Sequence, residues 1–319
     1  MTSSPHNHNH NLTHNHLLIF SLLLSLVLSA CSSPPKGPPI DPTLAQLSSS
    51  ARAAYDRGNF KQAVSFYERA VQRARQMDDG PEVARTGYNL AACYLAAGRP
   101  ADARVVLREA LAEFGRYRMD SHAAIVLDIK AARAAGQKDD AASLLPDAFA
   151  ACKSDDQRFE TWLLKGRIAC EDGDKAALRE SLDTADKLKS GDAAGRAELA
   201  SLKACSFSAD EQPDQAAQAY DEAADAYKRA GRYREMARAL AKAGDAYSSA
   251  AITRDAADRL YRSARSYASQ GDTVEALRVL DRGMTAAEAS GDGSLKDQLR
   301  TLFEQIEGEV EQSKVGGDE

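Results

Sequence analysis

The chain has 319 residues, more than one ordinary domain of ~150, and its 44% hydrophobic and 28% charged residues fit a folded body. Sixty residues are alanine, against ten prolines, twenty glycines and 6% aromatics, so the composition points to helices. The net charge of −6 excludes nucleic acid as the main partner, because binding phosphates needs a basic surface.

From Met1 to Cys31 there is no Lys, Arg, Asp or Glu. Leu17 to Ala30 is an apolar run, LLIFSLLLSLVLSA. A membrane span needs ~20 residues, so this shorter run suits the apolar region of a signal peptide. The run ends Leu28-Ser29-Ala30-Cys31. This resembles the lipobox of bacterial lipoproteins, which implies that Cys31 is acylated and becomes the new N-terminus. A plain secretory signal cut after Ala30 is the alternative.

A signal's leading segment is normally basic, whereas here it holds His6, His8, His10, His14 and His16 instead. Spaced histidines can bind zinc or nickel. This stretch leaves with the signal, so a start codon assigned too early or a tolerated odd leader is the better reading. After Cys31, five prolines lie between Pro34 and Pro42. Proline fixes φ and removes the backbone donor, so the segment reads as an extended tether. By the lipoprotein resemblance, Ser32 beside the lipid site leans toward the periplasmic face of the outer membrane rather than the inner.

From Thr43 onward, helical runs alternate with short breaks. One template recurs: a Gly, a variable residue at +2, a small one at +5, a large one at +9 and a small one at +12. It is met as Gly58, Phe60, Ala63, Tyr67, Ala70 and as Gly98, Pro100, Ala103, Leu107, Ala110. It returns at Gly136, Gly173, Gly231 and Gly271, most faintly at Gly173. The pattern resembles the tetratricopeptide (TPR) repeat, a pair of antiparallel helices joined by a tight turn. Gly lets the chain leave the first helix left-handed, and small residues let the two helices cross closely. The resemblance implies an all-α, TPR-like helix-turn-helix solenoid, wound as a right-handed superhelix.

The Gly-to-Gly spacings are 40, 38, 37, 58 and 40. The spacing of 58 equals one period plus a single extra helix near Ala193 to Ser208, so the repeat phase around 190–230 stays open. Pro213 suits the first turn of the next helix, and Pro146 should kink or shorten the helix that contains it. Leu295, Leu299, Leu302, Phe303, Ile306 and Val310 recur at helical spacing and predict a C-terminal capping helix. The expected boundaries are signal 1–30, lipidated Cys and tether 31–42, repeats 43–291, cap 292–313 and a disordered tail 314–319.

Little in the chain points to catalysis. His122 is the one histidine beyond the signal and is expected at the surface, near the start of a helix. No Cys pair has zinc-like spacing, and there is no phosphate loop or nucleophile elbow. The sequence therefore predicts no enzyme, no metal and no cofactor. Cys170 and Cys205, 35 residues apart, could approach if the repeats stack regularly, and buried free thiols are the alternative. Glu180-Ser181 matches the acid motif of some cell-wall lytic enzymes, but it lies inside a repeat helix with no separate lysozyme-like segment after it.

The resemblance places a partner-binding groove on the first helix of each repeat. Positions six or three residues before each Gly look inward there: Arg52 and Tyr55, Lys130 and Arg133, Arg167, and Arg265. Tyr88 lies one turn earlier in its repeat. The cations among them suit an acidic or amphipathic segment, although they could equally be solvated residues of Ala-rich helices. Asn89 alone does not make the peptide-carboxylate clamp of some chaperone cofactors. The resulting expectation is a lipid-anchored envelope scaffold or adaptor that binds envelope proteins. An envelope enzyme with an unrecognised site and a purely structural, oligomerising lipoprotein are the alternatives.

Overall fold

The structure, a computed structural model, describes residues 41–188 and 191–315. The signal segment, Cys31, tether residues 31–40 and tail residues 316–319 lie outside the described residues. The described chain forms helices and turns only. In order these are α1 (Pro42–Asp56), α2 (Phe60–Gln76), α3 (Gly80–Ala96), α4 (Pro100–Arg116) and α5 (His122–Ala134). Two short helices follow, α6 (Lys138–Ser143) and α7 (Leu145–Ala151), and then α8 (Asp155–Asp172), α9 (Lys175–Leu188) and α10 (Ala193–Ala209). The series ends with α11 (Pro213–Arg229), α12 (Tyr233–Ser249), α13 (Thr253–Ser269), α14 (Thr273–Ser290) and α15 (Gly293–Val315).

Local chemistry sets these boundaries. Asp41, Asn59, Asp79, Ser154 and Asp192 each accept the backbone N–H three residues on, capping α1, α2, α3, α8 and α10. Proline opens α1, α4 and α11, where its missing donor costs nothing. Pro146 splits what would be one helix into α6 and α7, as its position predicts.

The turns hold a regularity that glycine alone does not reveal. A left-handed residue closes the helix at Gly58, Gly98, Gly231 and Gly271, and also at Asp78, Arg118, Glu211 and Ala251, with φ of 51–60° in those four. From Gly191 onward such residues recur at a constant interval, at Glu211, Gly231, Ala251, Gly271 and Gly291. The building unit is thus a single helix of about five turns plus a short left-handed turn, rather than a helix pair. The long interval between Gly173 and Gly231 holds three such units, with α10 as the odd one.

Consecutive helices pack antiparallel, each mainly on its chain neighbours, so the core runs as a strip along the solenoid. Ala63, Ala103, Ala216, Ala237, Ala256 and Ala276 are fully buried at the crossings, and Tyr67, Leu107, Leu178, Leu240, Leu260 and Leu280 fill the spaces between them. Alternate helices share a layer. α1, α3, α5, α8, α10, α12 and α14 form the inner one, seen in the approach of α3 to α5, α8 to α10 and α12 to α14. The last helix, α15, covers α14 and α13 through Leu295, Leu299, Leu302 and Ile306.

Candidate functional site: the concave groove

Because α10 is a single insertion, layer assignment changes after it. α11 and α13 read as first helices of a repeat by their glycines, yet both stand in the outer layer, where Asp221 of α11 binds Arg259 of α13. α12 takes the inner place beside α10. The inner layer thus creates a groove of about 840 Å³ bordered by Lys130 of α5, Phe159, Leu163 and Arg167 of α8, Glu198 of α10 and Arg238 of α12.

The concave face brings six of the sequence-predicted residues to one side of the molecule. Arg52 faces the Tyr67 hydroxyl. Tyr55 is exposed, packs edge-on against Phe60 and feels the charge of Arg232 on the turn into α12. Tyr88 is half-buried, and its hydroxyl is pushed up by burial, by Glu160 and by Tyr55. Lys130, Arg133 and Arg167 follow along α5 and α8. Arg265 does not join them. It sits on outer helix α13, 5.3 Å from the Tyr261 ring, beside a separate recess against α15. The inward position read from Gly271 is therefore corrected: one inserted helix moves α13 to the other layer.

The predicted cations Lys130, Arg133 and Arg167 are also not free. Lys130 reaches Glu160 at 3.1 Å, Arg133 binds Glu171, and the Arg167 Nε donates to Glu198 at 2.7 Å. Each pair joins one inner helix to the next. The Tyr227 hydroxyl donates to the second Glu198 oxygen at 2.5 Å. Burial pushes the Glu198 carboxyl up, but Arg167 and Tyr227 outweigh it and hold the group below its usual value. Burial, and the repulsion of Arg167, lower Arg133. The groove is a mixed-charge surface with fixed polarity at each point, not a basic stripe. Sequence reading missed Glu160, Glu198, Arg232, Glu235 and Arg238, because only stacking reveals which helix faces which.

Cys170 of α8 and Cys205 of α10 form a disulfide with Cα atoms 6.3 Å apart, tying together the two helices that carry Arg167 and Glu198. Cys93 and Cys152 are free thiols, and burial raises Cys93 to about 11, which keeps it an inert thiol. His122 departs from its expected surface position. It is 2% exposed, and its Nε2 lies 2.9 Å from the Thr161 hydroxyl. That hydroxyl donates to the Gln157 carbonyl, so the imidazole is the donor in the pair. Helix α8 covers the start of α5, a contact invisible in the local pattern. Glu180 pairs across to Lys165 of α8, and the Ser181 hydroxyl donates back to the Ala177 carbonyl of its own helix, so both are engaged within the α8–α9 pair. Among the described residues no cluster of three or more His, Cys, Asp or Glu could hold a metal ion, and no helix is long and apolar enough to cross a membrane.

Known proteins match this architecture. Residues 43–112 and 257–282 each match a tetratricopeptide repeat family model. No curated protein matches the sequence. Among solved structures, the STAND protein with a tetratricopeptide repeat sensor, PH0952 from Pyrococcus horikoshii, aligns at TM-score 0.54 and 13% identity, over 85% of this chain and 43% of that one. The Rap conjugation gene regulator of the plasmid pLS20, in complex with the Phr* peptide, aligns at TM-score 0.52 and 14% identity, over 94% of this chain and 88% of that one. The APC/C hetero-tetramer Cut9-Hcn1 aligns at TM-score 0.49 and 14% identity over 80% of this chain, which spans 55% of the matched chain. These likenesses are of fold. The chain carries TPR repeats stacked as an all-α solenoid, the build of a protein-interaction scaffold.

Proposed function

We propose that the protein is a lipid-anchored scaffold of the cell envelope that holds an extended segment of a partner protein in its concave groove. The observation that carries this reading is the groove itself, a trough of about 840 Å³ across four inner helices. Phe159 and Leu163 form its floor, and the paired charges Lys130–Glu160 and Arg167–Glu198 its walls. An apolar floor supplies affinity, and fixed charges supply register. Two further facts support the reading. The pLS20 Rap regulator, of like fold, was solved with a peptide bound. The Cys170–Cys205 disulfide suits an oxidising compartment, in keeping with the Leu-Ser-Ala-Cys31 run. Ser32 favours the periplasmic face of the outer membrane, with residues 31–42 as the tether.

Site-specific crosslinking in the full-length protein tests this. A photoreactive residue in place of Tyr88 or Ala194, both on the concave side, should trap one and the same envelope protein. The same residue at Arg69 on outer helix α2 should not. Equal trapping at Arg69, or adducts only between copies of this chain, would remove the groove reading.

A further inference from the structure

Most charges at the centre of the concave face are already matched. Arg167 holds Glu198, Arg232 holds Glu235, Arg234 holds Asp272, and Arg282 holds Asp245. Arg238 and Lys242 of α12 are the exception. They stand one helical turn apart, both open to the groove, and among the described residues neither is seen in an ion pair. Like charges at this spacing repel. Their neighbours are aromatic: the Lys242 ammonium lies 5.4 Å from the Tyr220 ring, and Arg238 lies beside Tyr267. Partial desolvation in the groove, followed by the neighbouring Arg238, pulls the Lys242 ammonium below its ordinary value, although Glu198 and Asp245 act in the opposite direction.

Arg238 also has a central position. It borders the groove toward α8 and α10, a smaller recess of about 90 Å³ that it shares with Lys242, and a third of about 260 Å³ between α12 and α14. A segment lying along the concave face passes this pair with chain continuing on both sides. A terminal carboxylate placed here would leave one side of the face empty.

We infer that Arg238 and Lys242 together receive an acidic side chain, an Asp or Glu carboxylate in the interior of the bound segment. The inference rests on the groove reading above and adds its missing chemical element. The guanidinium offers a planar fork and the ammonium a compact charge, so one carboxylate can take charge-assisted hydrogen bonds from both. Glu198, Glu235 and Asp245 lie near enough to offset part of this positive charge, but each makes its ion pair with another cation, Arg167, Arg232 or Arg282, which leaves donors of Arg238 and Lys242 for an incoming carboxylate.

The test uses full-length protein and a library of random twelve-residue segments displayed with no free C-terminus. Groove binders are those lost with a bulky Ala194→Trp change. They should be enriched in an interior Asp or Glu. Arg238→Gln with Lys242→Gln should weaken a selected segment at least ten-fold, with helicity and melting unchanged because both side chains are exposed. Changing the segment's acid to its amide should weaken binding equally, and combining the two changes should add nothing further. A spectroscopic readout is independent: with lysines methylated by a 13C label, the Lys242 titration should move upward on binding. Groove binders that lack an acid, or that ignore both substitutions, would overturn the inference and leave the groove reading standing. No groove binders at all would overturn both.

Discussion

Cys170 and Cys205, 35 residues apart in sequence, are covalently joined between α8 and α10 of the inner layer. The bond closes a loop that includes all of α9 and the turn at Gly191. It should contribute about 2–4 kcal/mol, chiefly by restricting the unfolded chain. Reduction, or Cys170→Ala with Cys205→Ala, should lower the melting temperature by the same amount in either case. Thiol labelling of denatured, unreduced protein should modify Cys93 and Cys152 and spare the bonded pair. Labelling of all four would show the bridge absent.

His122 predicts an acid-sensitive contribution to stability. Burial lowers its folded pKa below the ordinary 6.5, although Glu160 and Asp120 pull the other way and Lys130 reinforces the shift. The unfolded state therefore binds more protons just below pH 6.5. The associated stability is complete above that value and declines as pH falls toward the folded pKa. Chemical denaturation from about pH 7.5 to about pH 5.5 should show this slope. His122→Gln, which keeps a donor for Thr161, should flatten it. Asp120 and Glu198 are held below their usual range, whereas burial raises Asp245, so the difference in slope between wild type and His122→Gln, not the slope alone, isolates the imidazole. An identical slope in the variant would place the acid sensitivity elsewhere.

Two small substitutions should act in opposite directions. A Cβ on Gly244 would stand 2.6 Å from the Leu260 Cγ and 3.1 Å from the Ala256 carbonyl oxygen, so Gly244→Ala should overpack the α12–α13 crossing by about 1–3 kcal/mol. Ala251 is left-handed at φ 60°, a conformation that glycine adopts freely. Ala251→Gly should stabilise the chain by about 1 kcal/mol. Melting curves that order the two variants the other way would contradict these turn and crossing assignments. Ala63→Leu and Ala103→Leu should behave like Gly244→Ala, since both alanines are fully buried.

Charge reversal in the groove must allow for the ion pairs. Lys130→Glu with Arg133→Glu sets like charges against Glu160 and Glu171 and should weaken partner capture at least ten-fold. Restoring the pairs with Glu160→Lys and Glu171→Arg should recover any lost stability but not the binding, because the polarity at each point is inverted. Arg104 is unsuited as an outer control, since its guanidinium engages Asp128, Gln137 and Asp140. Arg69→Glu with Arg108→Glu, both exposed on outer helices, serves instead and should change little. Capture that survives the inner reversal would move the binding site off this face.

The anchor prediction concerns Cys31. Cys31→Ser should yield a protein that takes up no labelled fatty acid and either accumulates as precursor or is released from the membrane fraction. Equal labelling of wild type and variant would eliminate Cys31 as the acylated residue.

Much of the fold was legible because its rules are local. Gly58, Gly98 and Gly231 mark turns through their own backbone freedom, while Ala63 and Ala103 mark crossings through their size. Pro146 and Pro213 act on the helix in which they sit. The turns at Asp78, Arg118, Glu211 and Ala251 escaped notice because these residues adopt the left-handed conformation without being glycine. A search for glycine therefore counts helix pairs where the chain is built from single helices.

By itself the sequence determined that this protein is a row of alanine-rich helices joined by tight turns, since periodicity, caps and turn residues act within one helix and its two ends. Only the tertiary structure decided which faces line the groove. Lys130 meets Glu160 across 30 residues, Arg167 meets Glu198 across 31, and Thr161 buries His122 from 39 residues away. Those meetings depend on how many helices precede each residue. The one inserted helix, α10, turns α12 inward with Arg238 and Lys242 and sends α13 outward with Arg265. A helix carries no local mark of the layer it will join, because its apolar stripe packs as well from one side of the stack as from the other.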